Sequence, residues 1–534
     1  MSKTLSFIIA FLFLSVEVFS QNVYQVDSPF NSIRQNGVSN IEGFGDTLWI
    51  SPALNRNIGN QFEWFQSENI TKITEDVGRV FSIALARDTV VSGLGFSSDT
   101  PAGTVSAAFG YYFSVDGGDQ WRFEDFLLDP RAPEGCESTP SGCDTTFVYG
   151  GQIYDRIRIT VPEQSPPFDM EFKNDVVFSV NWASSLLRST DFGRSWERII
   201  IPPESVQNFN PEIKNYFWVS CVGSDPQCPE IVNKYDSVDD NNLKGFGLEI
   251  DSNNQVWYGS ANGVNISPDA LTAPTDSISW KHVNFDNSND GLLGNWVIEI
   301  EEDPATNTIW ITNWITDASN GEQFGIVSTS DNADTFRQHL IGEKINSIGF
   351  KDGAVFAAGD NGLFISTNNG NSWSKFPQIR SANTFLKENT EFLSVGSTTD
   401  RVWVGTTDGL ASSDDLGQTW EITRVNFPLS GGNAFDPDAK TLQTYAYPNP
   451  FSPSLHDLVR IKYELKESGT VNIRVFDFGM NLVREIENDT FSAGTYEAVW
   501  DGVDNSGRKV ANAPYIYIIE MPDRTINGKI LVIE

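Results

Sequence analysis

The chain has 534 residues, with 71 acidic against 36 basic side chains and a formal net charge of −35. A surface of that sign repels nucleic acid and anionic lipid, so neither is expected as a partner. The length allows two or three domains, and an aromatic content of 12% supplies sizeable cores.

Residues 1–20 carry Lys3, an apolar run from Leu5 to Val16 and a small residue at Ser20, the pattern of a cleavable export signal that leaves Gln21 as the new N-terminus. The mature chain is therefore expected to be secreted or held on the outer cell surface. No later segment has the ~20 consecutive apolar residues of a membrane-spanning helix, so no transmembrane segment is expected.

From residue 37 onward the sequence repeats. Its clearest unit runs through Phe392-Leu393-Ser394-Val395, a polar turn, Val402-Trp403-Val404-Gly405, Asp408-Gly409-Leu410 and a hairpin ending at Trp420. Each unit holds four short β-patterned segments joined by turn residues. Seven units are placed this way, at roughly 37–66, 76–126, 165–200, 244–283, 294–340, 343–378 and 389–425. Seven four-stranded units at this spacing predict an all-β, seven-bladed β-propeller over 37–426.

The hairpin that closes the unit repeats one phrase. It reads Ser114-Asp116-Gly118-Trp121, Ser189-Asp191-Gly193-Trp196 and Ser413-Asp415-Gly417-Trp420. Ser366-Asn368-Gly370-Trp373 exchanges Asp for Asn, and Thr329-Asp331-Ala333-Phe336 is a worn copy. Ser and Asp side chains can bond the backbone of a tight turn, Gly supplies a positive φ, and Trp can pack between neighbouring sheets. The phrase resembles the Asp-box (BNR, sialidase-like) hairpin of sialidases, sortilin-type receptors, xyloglucan-cleaving glycosidases and photosystem assembly factors. That resemblance implies a structural role for the phrase, at the turn between third and fourth strands, with any ligand on the opposite face.

Four cysteines form two pairs of equal spacing, Cys136 with Cys143 and Cys221 with Cys228. In an exported chain they read as two local disulfides; a zinc site made of all four is the rival, although neither pair has chelate spacing. Their insertions, near 127–164 and 201–243, connect successive units and are expected on the face opposite the boxes. The same face should carry Asn181-Trp182 and Asn313-Trp314, in equivalent loops between second and third strands. Trp beside Asn offers an apolar platform for a sugar ring or a peptide, unless each ring tucks under its own loop. An extracellular glycan or protein is the expected partner.

Catalytic residues are harder to find. His282, His339 and His456 stand apart and outside any triad or metal motif, and the arginines Arg34, Arg79, Arg156 and Arg158 lack the grouping a sialidase needs. Asp286-x-Ser288-x-Asp290-Gly291 mimics the start of a calcium loop, but Val297 stands where its last ligand belongs. No metal and no cofactor is expected. Non-catalytic binding is therefore the first reading. The alternative is a propeller-type glycoside hydrolase acting on extracellular polysaccharide, whose carboxylate pair the sequence does not single out.

Near residue 427 the repeats stop, and a Gly, Pro and Asp linker (427–443) leads to a new pattern over 444–534. Alternating strands are predicted at Ile461 to Leu465, Val471 to Asp477, Leu482 to Ile486, Gly494 to Trp500, Tyr515 to Ile519 and Lys529 to Ile533, a small β-sandwich. Its Tyr447-Pro448-Asn449-Pro450-Phe451-Ser452-Pro453 opening, its Val471-to-Gly479 core and its Gly494-Thr495-Tyr496 to Trp500-Asp501-Gly502 turn resemble two related families. These are the Ig-like domain of flagellar hook-capping proteins and the C-terminal sorting domains of type IX secretion cargo. The resemblance implies type IX secretion machinery as a further partner.

Overall fold

The computed structural model describes residues 23–26, 33, 35–58, 61–67, 78–101, 103–131, 145–222, 230–381, 384–388, 390–425, 429, 442–456 and 458–534. The export signal read at 1–20, most of the linker, and Cys136, Cys143 and Cys228 lie outside them. Cys221 is disulfide-bonded.

Seven antiparallel sheets follow one another along the chain, at 40–67, 78–125, 167–198, 245–283, 296–339, 345–375 and 392–423, each with its first four strands hydrogen-bonded in sequence order. They are numbered 1 to 7 below. Val23–Val26 adds an outer strand to sheet 1, and Asn208–Phe209 adds one to sheet 4. Valine, isoleucine and aromatic residues fill the second and third strands, which are buried on both faces in sheets 4, 6 and 7. Short turns set the register. Asp352 and Gly353, with φ of 49° and 77°, form the two-residue connection that matches strand twist.

The apolar core is divided into seams rather than gathered at one centre. Trp49 of sheet 1 packs with Val80 and Tyr112 of sheet 2, and Tyr111 and Phe113 of sheet 2 with Met170 and Leu187 of sheet 3. The pattern continues to Phe356 of sheet 6 with Val395 and Trp420 of sheet 7. A last seam joins Ile41, Leu48 and Ile50 of sheet 1 to Trp403 and Leu410 of sheet 7. Backbone bonds cross that seam from Val38 N to Thr406 O and from Gly409 N to Asn36 O. The first strand of each sheet lies against the first strand of the next, and that of sheet 7 lies against that of sheet 1.

The two long insertions are not where the sequence reading put them. The hairpin Thr145–Tyr149/Gln152–Arg156 and the pair Val219–Val222/Glu230–Asn233 pack together through Phe147, Tyr154, Trp218 and Tyr235, and run down the outer flank of sheet 4. Tyr149 donates to Ile278 O, and Gly150 N to Asp276 O, at the turn before the fourth strand. Aromatic burial draws them to the flank, where the rings of the two insertions cover one another together with Phe209, Tyr258 and Trp280 of sheet 4.

The C-terminal module is a separate, Ig-like pair of sheets. Thr444–Tyr447, Val459–Leu465 and Gly494–Trp500 form one; Gly469–Phe476, Leu482–Phe491, Ala513–Glu520 and Thr525–Val532 form the other. Phe451, Ile461, Ile473, Trp500, Tyr517 and Ile530 close a core drawn entirely from this module.

Candidate binding site at the axial mouth

Each box phrase folds into the same turn. Ser189 Oγ donates to Asp191 Oδ1 and accepts from Gly193 N, while Asp191 Oδ1 also accepts from Ser195 N. The set recurs at Ser114, Ser366 and Ser413, and at Thr329 in the worn copy. Trp196 stacks on Tyr111 of the preceding sheet at 4.5 Å, and Trp420 meets Phe376 edge-on at 5.5 Å. The phrase therefore stitches neighbouring sheets, and its turns join third to fourth strands.

The opposite ends of the first strands are irregular. Register shifts at Val80/Ser82, Pro167/Asp169, Gly245/Leu248, Val297/Ile300, Ile345/Ser347 and Phe392/Ser394 leave extra residues out of the ladder. A bulge re-aims its side chain. Here the bulged Phe168, Phe246, Ile298, Asn346 and Leu393 line one cavity of about 310 Å³ between the first strands.

A chain of touching aromatic rings leads into that cavity, with Phe168, Phe246 and Trp296 in its lining and Phe81 and Trp182 beside them. Centroids lie 6.0 Å apart for Phe81 and Phe168, 5.7 Å for Phe168 and Phe246, and 5.3 Å for Phe246 and Trp296. Trp182 meets Phe246 at 5.1 Å and Trp296 at 6.0 Å. Three cations stand on these walls: Arg79 over Phe81 at 4.4 Å, Lys244 over Trp182 at 5.7 Å, and Lys344 over Trp314 at 4.1 Å. The rest of the lining mixes polar Ser39, Asn40, Asn346 and Ser394 with Ile41, Leu393 and Val395.

Carboxylates occupy the layer of the first strands below the cavity. Residues at one level of the first strands, each paired with the second or third residue of its second strand, are Glu42, Ala84, Glu171, Glu249, Glu301, Gly349 and Gly396. Four glutamates thus share a layer in which the other three positions are small. Burial raises all four, and their neighbours' negative charge raises them further. Glu249 is pushed up to about 8. One layer nearer the mouth, burial pushes Asp169 up to about 7 and Glu299 to about 8. Asp169 accepts from Leu248 N at 2.8 Å and Glu299 from Ile348 N at 2.7 Å, each on the next sheet. Ser82 and Ser347 make the same kind of link, to Pro167 O and Val395 N.

Of the four residues read from the sequence as a platform, the two asparagines need correction. Asn181 and Asn313 are fully buried. Asn181 Nδ2 donates to Ser185 O across its own loop, and Asn313 Nδ2 donates to Gly294 O while Oδ1 accepts from Leu293 N, which ties its strand to the segment entering sheet 5. Trp182 and Trp314 are half-buried, and Trp314 donates to Ile345 O at 2.7 Å. Phe81, Phe168, Phe246 and Trp296 were missed in the sequence. Their only signal is an aromatic at the start of the first segment in consecutive units. No residue of either cysteine-bearing insertion lines the cavity among the described residues. Asp286, read as a possible calcium ligand, accepts from Ser288 N; no described group of acidic, His or Cys residues is arranged to hold a metal.

The C-terminal module matches the FlgD Ig-like domain family over residues 456–520. No curated protein matches the chain. Among solved structures, PorZ of Porphyromonas gingivalis, an essential surface component of the type-IX secretion system, is 11% identical, with 93% of this chain and 75% of that one covered at a TM-score of 0.34. YCF48 from Cyanidioschyzon merolae is 13% identical, with 73% and 97% covered at a TM-score of 0.39. Likeness of this size carries no argument about the site. No helix among the described residues is long and apolar enough to cross a membrane.

Proposed function

We propose that this is a secreted or cell-surface protein whose seven sheets are the blades of a closed, Asp-box β-propeller, and that it binds an extracellular glycan or protein without catalysis. The Ig-like module serves as its type IX sorting domain. The observation that carries the binding reading is the chain of rings from Phe81 to Trp296, with Trp182 beside it, at the mouth of the axial cavity. Such a wall offers flat apolar area with polar groups in the same lining, the composition of a site that stacks a ring or grips a side chain.

The carboxylates are the one observation that favours the alternative, a glycoside hydrolase. Acid and base roles require a pair whose environments push the two affinities for protons apart. Here all six acids are raised together, Asp169 by burial alone and the other five by burial and neighbouring negative charge, and none is held low enough to serve as the ionised partner. Binding without turnover is the better account.

Glycan and peptide arrays, run beside a reducing-sugar assay, test both readings. Trp182→Ala combined with Trp296→Ala should weaken any binding found by about 2 kcal/mol or more while leaving the fold intact. Unchanged affinity would remove the mouth as the site, and sugar release that Glu301→Gln abolishes would establish the hydrolase.

A further inference from the structure

The outer face of one Ig-like sheet is not exposed. Along Val459–Leu465, Val459, Ile461 and Tyr463 enter the module's own core, which leaves Arg460 and Lys462 on the other face, where solvent is expected. Arg460 is nevertheless only 1% exposed. It reaches Asp408, in the loop between second and third strands of sheet 7: Nη2 pairs with Oδ2, and Nε donates to Oδ1 at 3.3 Å. Arg424, 6% exposed and just past the fourth strand of the same sheet, donates Nη2 to Asp408 Oδ2 at 3.2 Å.

Both guanidiniums also share the acceptors Thr384 Oγ1 and Phe385 O. Glu497 of the Ig-like module, which accepts the Tyr447 hydroxyl, stands 4.0 Å from Arg424 Nη1. Beside this cluster, Pro448, Leu455, His456 and Leu458 face Lys387 and Thr407 across a space of about 130 Å³.

We infer that the Ig-like module is clasped to sheet 7 by a quartet of two buried guanidiniums and two half-buried carboxylates, and stays bound there independently of the covalent linker. Each module contributes one cation and one anion: Asp408 and Arg424 from one, Arg460 and Glu497 from the other. Guanidiniums this enclosed are tolerated only when paired, and Asp408 is the acceptor on which both converge. Removing it leaves two buried guanidiniums against one carboxylate. The partner for which this face is shaped is therefore the chain's own C-terminal module, which is held on the side of sheet 7 that carries its second-to-third-strand loop. This inference stands apart from the choice of ligand at the mouth.

The experiment places a specific protease site between residues 430 and 441 of the full chain, cleaves it, and follows the fragments by gel filtration and by titration of their reassociation. Unmodified fragments should co-elute at micromolar concentration, and Asp408→Ala should weaken reassociation about a hundredfold or more. Asp408→Asn, which keeps the shape and removes the charge, carries the test if the alanine variant fails to fold, and should also weaken reassociation. Separation of the unmodified fragments, or unchanged affinity in a folded Asp408 variant, would overturn the inference.

Discussion

Gly193 shows why the box tolerates so little change. Its φ is 82°, and a Cβ there would lie 2.0 Å from Phe113 Cζ on the preceding sheet. Two penalties coincide, left-handed backbone and overpacking at a seam, so Gly193→Ala should cost about 2–4 kcal/mol, read from the denaturant midpoint. Ala333 is the converse. It already carries a Cβ at a φ of 58°, in the copy whose Trp has become Phe336, so Ala333→Gly should be neutral or stabilise by up to about 1 kcal/mol. The turn was legible in the sequence because Ser, Asp and Gly act there through their own backbone. The buried asparagines were not, since Asn181 beside Trp182 reads the same whether its amide faces a ligand or its own loop.

At the scale of strands, the irregular feature is acid in the innermost layer. Sequence alternation locates Glu42, Glu171, Glu249 and Glu301 in β-segments, but in so acidic a chain nothing marks them as convergent; only the stacking of first strands does. The bulges were equally hidden, because an extra residue in a ladder leaves no compositional trace, and so the chain of rings from Phe81 to Trp296 was illegible while the strands that carry it were plain. The carboxylates make stability depend on pH in a defined sense. A carboxyl whose folded affinity for protons exceeds its unfolded one keeps more protons in the folded state, so stability falls as pH rises from about 4 toward the folded values. With Asp169 at about 7 and Glu249 and Glu299 at about 8, the loss should extend through about pH 8, and Glu42, Glu171 and Glu301, also raised, add to it in the same sense. Box aspartates act oppositely. Asp331 and Asp415, held down to about 2 by bonds from Thr335 and Thr419, lose their contribution as pH falls from about 4 through 2. Thermal unfolding followed from pH 3 to 9 should therefore peak near pH 4–5. Glu249→Gln should raise the midpoint by about 1–3 °C at pH 9 and leave it unchanged at pH 4.5.

Across the whole molecule, the question is what holds first and last sheets together, since neither borrows a strand from the other: sheet 1 is built from residues before 68 and sheet 7 from residues after 391. The contact between them rests on Ile41, Leu48, Ile50, Trp403 and Leu410, on the bonds at Val38, Gly409 and Thr399, and on Val425 N donating to Asn36 Oδ1. Every other seam joins sheets that the chain already connects, so opening it gains little freedom, whereas opening this one releases a loop as long as the whole run of seven sheets. The closing seam should be the first to open. Trp403→Ala removes its largest side chain and should cost about 3–5 kcal/mol, and Trp257→Ala at the seam between sheets 4 and 5 a similar amount. Amide exchange separates the two variants. In Trp403→Ala the amides of Val38, Thr399 and Gly409 should exchange well before those of the middle sheets, as a local opening at the first-to-last contact. In Trp257→Ala they should stay protected until global unfolding. Equal protection of those three amides in both variants would mean that the ring is not closed at this contact.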